Sequence, residues 1–229
     1  MRERLDLRAA LPRLPGLLLG LVLFGAGVAF MVASGLGLSP WEVLHQGLSI
    51  RTGIQIGTVS ILLGIVVLLL WVPIGERPGI GTVTNILVIG TTTNIVLDWL
   101  PDLPPFAPQA TDALDLAARS LLLGGGILAI ALGSGLYLGA DLGPGPRDGL
   151  MTGLHRRYGW SIRRVRTALE VGVLVVGFLL GGTVGIGTIL FAVTIGPLVQ
   201  AILGLTDREG RLDRARRAEI AAEGELVGE

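Results

Sequence analysis

Gly79-Ile80-Gly81-Thr82 recurs unchanged 106 residues later as Gly185-Ile186-Gly187-Thr188, and each copy opens a long apolar run. The same offset holds elsewhere without a gap. Leu36-Gly37-Leu38-Ser39-Pro40 falls on Leu142-Gly143-Pro144-Gly145-Pro146, Gly47-Leu48 on Gly153-Leu154, Arg51 and Gly53 on Arg157 and Gly159, and Ile89-Gly90 on Ile195-Gly196. Matches between apolar residues would mean little, since any two membrane helices look alike. Glycine, proline, arginine and threonine in register are not supplied by composition, so the chain reads as one unit duplicated.

The unit is membrane-borne. Hydrophobic residues make up 51% of the 229 residues and charged ones 16%, with a mean hydropathy of +0.70. A soluble domain of this size carries about a quarter charged residues. The charges cluster between six apolar runs, at about Leu14–Gly35, Ile56–Ile74, Ile80–Leu100, Ala118–Ala140, Ile162–Gly181 and Ile186–Leu205. Each is near the ~20 residues that a helix needs to cross a hydrocarbon core of about 30 Å. Gly/Pro-rich breaks at Gly75–Gly79, Pro101–Pro108 and Leu142–Pro146 separate them. The 36 glycines suit close approach between membrane helices. Without cysteine there is no disulfide, thiolate metal site or cysteine nucleophile. The first run is too long for a signal-peptide core and reads as a retained span.

The expected organisation is an N-terminal cytoplasmic segment (1–13), a first three-span repeat (14–100), an external loop (101–117), a second three-span repeat (118–206) and a cytoplasmic tail (207–229). Orientation follows from arginine, the sole basic residue type apart from two histidines. With the N-terminus inside, only Arg51 and Arg119 of the 18 arginines lie outside. The external loop region carries Asp98, Asp102, Asp112 and Asp115. Three spans per unit is an odd number, so the second unit is expected inverted relative to the first. The fold class expected is therefore an all-α membrane protein of six transmembrane helices in two inverted three-helix repeats. Each repeat adds a short interfacial or re-entrant helix after its first span. Such inverted repeats are common in secondary transporters, with solute sites between the repeats.

The short helices carry the first candidate site. Ser39-Pro40-Trp41-Glu42 has the form of a capping box, with serine as cap, proline at the first helical position and glutamate three residues on. A helix through His45 to about Ser49 should follow. Gly145-Pro146-Arg147-Asp148 repeats the pattern, with glycine as cap and Asp148 in place of Glu42. The polar residues Ser39, Glu42, His45 and Asp148 either line a solute pathway or sit on helices that only orient the spans.

Glu170 lies deep within the fifth run, where an intramembrane carboxylate defaults to a functional hypothesis. The structural alternative is a pair with Arg166, four residues earlier on the same face. If Glu170 serves transport, its carboxyl should face the space between the repeats. Its repeat counterpart is Gly64, so a symmetric carboxylate pair is ruled out at that position. In the third run the threonines and asparagines read as structural glue or as pathway lining, and Asn85 is the better pathway candidate of the two asparagines, because Asn94 is nearer the outer end. The repeated Gly-Ile-Gly-Thr lacks both the strand and the lysine of a phosphate-binding loop and reads as tight turns and close packing. His45 and His155 fall on opposite membrane faces and form no metal set. No catalytic constellation, cofactor or metal is expected.

The Leu-Gly-x-x-Pro turn into a short helix (Leu36 to Pro40), Thr52-Gly53-Ile54, and the Gly-x-Gly-Thr opening the third span (Gly79 to Thr82) resemble the YczE/YyaS/YitT family of bacterial integral membrane proteins, closest to its YczE branch. The likeness covers about Leu14 to Leu205. It implies a bacterial inner-membrane protein and carries over no activity or catalytic residue. The function expected is transport of a small solute or ion, the alternative a membrane scaffold or accessory subunit. A polar cavity between the repeats favours the first, a dry interface the second. The partners expected are the lipid bilayer and that solute or ion, with a second copy of the chain or another membrane protein as macromolecular candidates. Nothing in the sequence points to nucleic acid. Reporter fusions or cysteine labelling should read outside after Gln109 and inside after His155, and the opposite pattern at either point overturns the orientation.

Overall fold

The computed structural model describes residues 11–100 and 113–206. Residues 1–10, 101–112 and 207–229, which hold most of the N-terminal segment, most of the expected external loop and the whole tail, lie outside the described residues. After a 3₁₀ turn at Leu11–Arg13 come eight α-helices. They are α1 (Leu14–Ser34), α2 (Pro40–Thr52), α3 (Ile56–Ile74), α4 (Ile80–Trp99), α5 (Ala113–Ala140), α6 (Pro146–Tyr158), α7 (Ile162–Leu179) and α8 (Ile186–Thr206). No strand occurs among the described residues. Helices occupy the six apolar runs to within a residue or two, with one exception. Helix α5 begins at Ala113 and so takes in the last residues assigned to the external loop.

Five of these helices, α1, α3, α4, α5 and α8, are long and apolar enough to cross a membrane. Helix α7 occupies the place of the sixth span, but Arg163, Arg164, Arg166 and Glu170 charge its first half.

The helix ends repeat as the sequence does. Backbone φ is positive at Gly35, Gly37, Gly53 and Gly75, and again at the residues 106 further on, Asp141, Gly143, Gly159 and Gly181. At Gly37 and Gly143 φ is 120° and 124°, a conformation open to glycine and strained for any side chain. These two turns receive the starts of α8 and α4. The Gly187 N–H donates to the Leu36 carbonyl at 2.8 Å, and the Gly81 N–H donates to the Leu142 carbonyl at 2.9 Å. The motif threonines close the same ends: Thr82 Oγ1 accepts from the Gly79 N–H at 3.1 Å and Thr188 Oγ1 from the Gly185 N–H at 3.2 Å. Thr82 also donates to the Pro144 carbonyl at 2.8 Å. The repeated Gly-Ile-Gly-Thr is thus a helix start docked on the other half of the chain.

The tightest packing joins α1 to α5. A side chain on Gly20 would strike the backbone of Gly133 and Tyr137, and one on Gly27 the backbone of Gly126 and Ile130. As α1 advances from 20 to 27, α5 runs back from 133 to 126, so the two are antiparallel. Helix α4 packs on α1 and α8 on α5, while α2 lies against α7 and α6 against α3. At the last two contacts Gly177 of α7 meets the backbone of Val43 and Leu44 of α2, whereas the indole of Trp71 on α3 covers Gly149 of α6.

A Cβ on Gly27 would lie 2.6 Å from the Gly126 carbonyl oxygen, with backbone on the far side that cannot yield. Gly27→Leu should therefore lose about 1–3 kcal/mol of stability, read as a lower unfolding midpoint in detergent. Gly124→Leu, where nothing lies within 4 Å, should leave the midpoint unchanged.

Candidate functional site

The first turns of α2 and α6, which come from different halves of the chain, line one partly open cavity. Helix α2 contributes Trp41, Glu42 and His45, and α6 with its cap contributes Gly145, Pro146, Arg147 and Asp148. The walls are Phe24 of α1, Ser60, Leu63, Gly64 and Val67 of α3, Asn85, Ile86 and Ile89 of α4, and Tyr137 of α5.

Several contacts fix α6 in place. The Gly145 N–H donates to Tyr137 Oη at 2.8 Å, and that hydroxyl donates to Asp148 Oδ2 at 3.5 Å. Trp71 Nε1 donates to the Pro146 carbonyl at 2.9 Å. On α2 the expected capping box is not made. Ser39 is buried and its Oγ has no hydrogen-bond partner, and Glu42 lines the cavity instead of folding back on the cap. The indole Nε1 of Trp41 is likewise buried without a partner.

Glu42 and His45 are buried, Arg147 is half-buried and Asp148 is exposed at the rim. Glu42 is 8% exposed and His45 9%. Among the described residues the ion pairs are Arg119–Asp115, Arg156–Glu76 and Arg166–Glu170, and neither Arg147 nor Glu42 takes part in one. Burial pushes the Glu42 carboxyl above the usual range, opposed by the Arg147 charge and its own backbone N–H. Burial, helped by Arg147, holds His45 neutral with its pKa pushed down to about 3. For Arg147, burial works against the charged form, but Glu42, Asp148, Tyr137 and Glu170 outweigh it and the guanidinium stays charged. The cavity therefore sets one arginine charge beside two carboxyl groups.

Of the candidates named from sequence, Glu42, His45, Asp148 and Asn85 come together here, and Ser39 sits buried at the start of α2. Glu170 does not join them. It accepts from Arg166 Nε at 3.0 Å, on a helix face more than a third exposed, which is the structural alternative drawn from the i, i+4 spacing. Asn94 links α4 to α3, accepting from the Gly57 N–H at 2.8 Å and donating to Thr58 Oγ1 at 3.0 Å. Two members, Arg147 and Tyr137, were not singled out from sequence. Arg147 looked like one more cation at a membrane surface, and its signal was its place inside the Gly-Pro-Arg-Asp copy of the capping motif. Tyr137 carried no local signal at all.

Residues 11–203 match the model of a family of unknown function, DUF6198. The chain belongs to that family. A relative in Haemophilus influenzae, described as an uncharacterized protein, is 44% identical over 196 residues, 84% of each chain. The uncharacterized membrane protein YczE of Bacillus subtilis is 30% identical over 184 residues, 79% of this chain and 80% of its own. Uncharacterized protein YyaS of the same organism is 26% identical over 191 residues, 83% of this chain and 92% of its own. The sequence resemblance to the YczE and YyaS proteins therefore stands, and this DUF6198 chain is a helical membrane protein. No solved structure matches it.

The raised Glu42 pKa has a consequence for stability. Below the ordinary carboxyl range Glu42 is protonated in both native and unfolded chains. As pH climbs through the raised native value, the folded protein must ionise a buried group, and stability falls. Glu42→Gln removes that penalty. Its unfolding midpoint relative to the parent should rise between pH 5 and pH 8, and a flat or falling difference would show that Arg147 governs Glu42 more strongly than burial does.

Proposed function

We propose that this protein moves a small solute or ion across the bacterial inner membrane, by rearrangement of two inverted repeats about the cavity between α2 and α6. The observation that carries this is the convergence of two short helices from opposite halves on one partly open, charged cavity. In secondary transporters, interrupted helices of this kind bring half-helix N-termini to a solute near the bilayer midplane. The pairings of the halves support inversion. Gly20 meets Gly133 and Gly27 meets Gly126, and adding the offset of 106 turns the first contact into the second. The same operation exchanges the Gly81–Leu142 and Gly187–Leu36 hydrogen bonds. That is the signature of a two-fold axis, and because α1 and α5 run antiparallel along their length, the axis lies across the helices. On this reading α7 is the sixth span, α2 and α6 are re-entrant, and both termini are cytoplasmic.

Glu170, chosen from sequence as the residue to separate transport from structure, pairs with Arg166 on an exposed helix face, while its charge also acts on Arg147. The transport reading rests on Glu42, Arg147 and Asp148 instead. A non-catalytic scaffold or accessory subunit is the alternative. It has no need for an unpaired Glu42 and Arg147 inside the protein, an arrangement that costs stability unless something else is gained.

The test is flux. The full chain, reconstituted in liposomes, is assayed for uptake of radiolabelled amino acids, amines, carboxylates and inorganic ions against protein-free vesicles. At least one class should accumulate, and Arg147→Gln and Glu42→Gln should each cut its rate tenfold or more while Glu170→Gln leaves it within twofold. Uptake at the protein-free level for every class defeats transport and leaves the scaffold.

A further inference from the structure

Opposite charges attract more strongly in a partly buried cavity than in open water, and a glutamate and an arginine free to meet would close an ion pair. Glu42 and Arg147 line the same cavity and close none within 4.0 Å. Each is held on a separate short helix, and those helices are anchored on different partners, α2 against α7 and α6 against α3. Trp71, through its bond to the Pro146 carbonyl, and Tyr137, through the Gly145 N–H, keep α6 from sliding towards α2. The two charges are therefore fixed facing a common space.

The chemistry of that space selects the occupant. A simple anion would meet Arg147 and the first-turn N–H groups of α6 favourably, but Glu42 and Asp148 would repel it. A bare metal cation would find no group of three or more His, Asp or Glu ligands among the described residues, and Arg147 would repel it. A molecule carrying both charges satisfies every group at once. Its carboxylate takes the guanidinium fork of Arg147. Its ammonium sits between Glu42 and Asp148, beside the rings of Trp41 and Phe24, which favour a cation over their faces.

We propose that the cavity binds a small zwitterion, with an ammonium and a carboxylate a few bonds apart, of the amino-acid or betaine type. The assignment rests on reading the cavity as the solute site of a transporter. Asp148 is partly engaged by Tyr137, so Glu42 is the principal ammonium ligand and Arg147 the principal carboxylate ligand. Neutral His45 and Asn85 add uncharged polar contacts without disturbing this balance.

Binding to the purified full chain, by calorimetry or thermal shift, tests the class. The probes are the protein amino acids and glycine betaine, with two singly charged relatives of betaine. Choline keeps the cation and lacks the carboxylate; 3,3-dimethylbutanoate keeps the carboxylate and replaces the cation by a neutral group of the same shape. At least one zwitterion should bind ten times more tightly than either relative, and whether it is an amino acid or betaine tells a primary from a quaternary ammonium. Arg147→Gln should abolish the preference for that zwitterion over its decarboxylated amine. Glu42→Gln should weaken the zwitterion tenfold or more. Equal or tighter binding of choline or 3,3-dimethylbutanoate overturns the proposal, as does failure of every zwitterion to saturate the parent protein. The comparison on the parent chain decides alone if a variant does not fold. Zwitterion binding without flux would sink transport and leave this assignment standing; flux of a singly charged ion without zwitterion binding would do the reverse.

Discussion

The contact between α1 and α5 is the one on which the other helices depend. In a bilayer the lipid tails are as apolar as the side chains, so helices gain nothing by hiding hydrophobic surface from them. What holds them is dispersion across closely matched surfaces. Gly20, Gly27, Gly126 and Gly133 strip the interface of side chains and let one backbone rest on the other. Leu17, Leu21, Phe24, Val28, Ile127 and Ile130 fill in around that seam as the main buried cluster. Helix α4 is laid on α1 and α8 on α5, and their first turns are tied to the loops of the opposite half. Each half is thus completed by the other.

That dependence places the cavity. Helices α2 and α6 are too short to be held by their own length, and each is docked through a glycine. The backbone of Val43 and Leu44 lies over Gly177 of α7, and Trp71 of α3 lies over Gly149 of α6. The first turns are left at a common volume lined by Glu42, Arg147 and Asp148. The acidic residue falls at the third helical position of each short helix, where a carboxylate favours the N-terminal dipole. The same carboxylates are free to meet a solute because no capping box consumes them.

Halves that began as copies have not stayed equivalent. Trp41 answers to Arg147, His45 to Met151 and Gly64 to Glu170, so the cavity has an arginine on one side and an aromatic ring on the other. Helix α3 packs on α4, whereas α7 and α8 scarcely touch, and the arginines near the start of α7 are largely exposed. The matched helix ends therefore frame a cavity whose two sides differ.

Span positions, the duplication and the helix breaks were all legible in the sequence. They depend on local rules: apolar length against bilayer thickness, glycine where φ turns positive and proline at first helical positions. The same rules marked Glu42, His45, Asp148 and Asn85 as polar residues in unusual places. They did not tell which polar residues meet. Arg147 lines the cavity and Glu170 does not, because the rotation of each helix about its axis is set by the helices it packs on: Tyr137 and Trp71 hold α6, and α7 lies against α2. A periodic pattern gives a helix one face; only packing against other helices decides what that face sees.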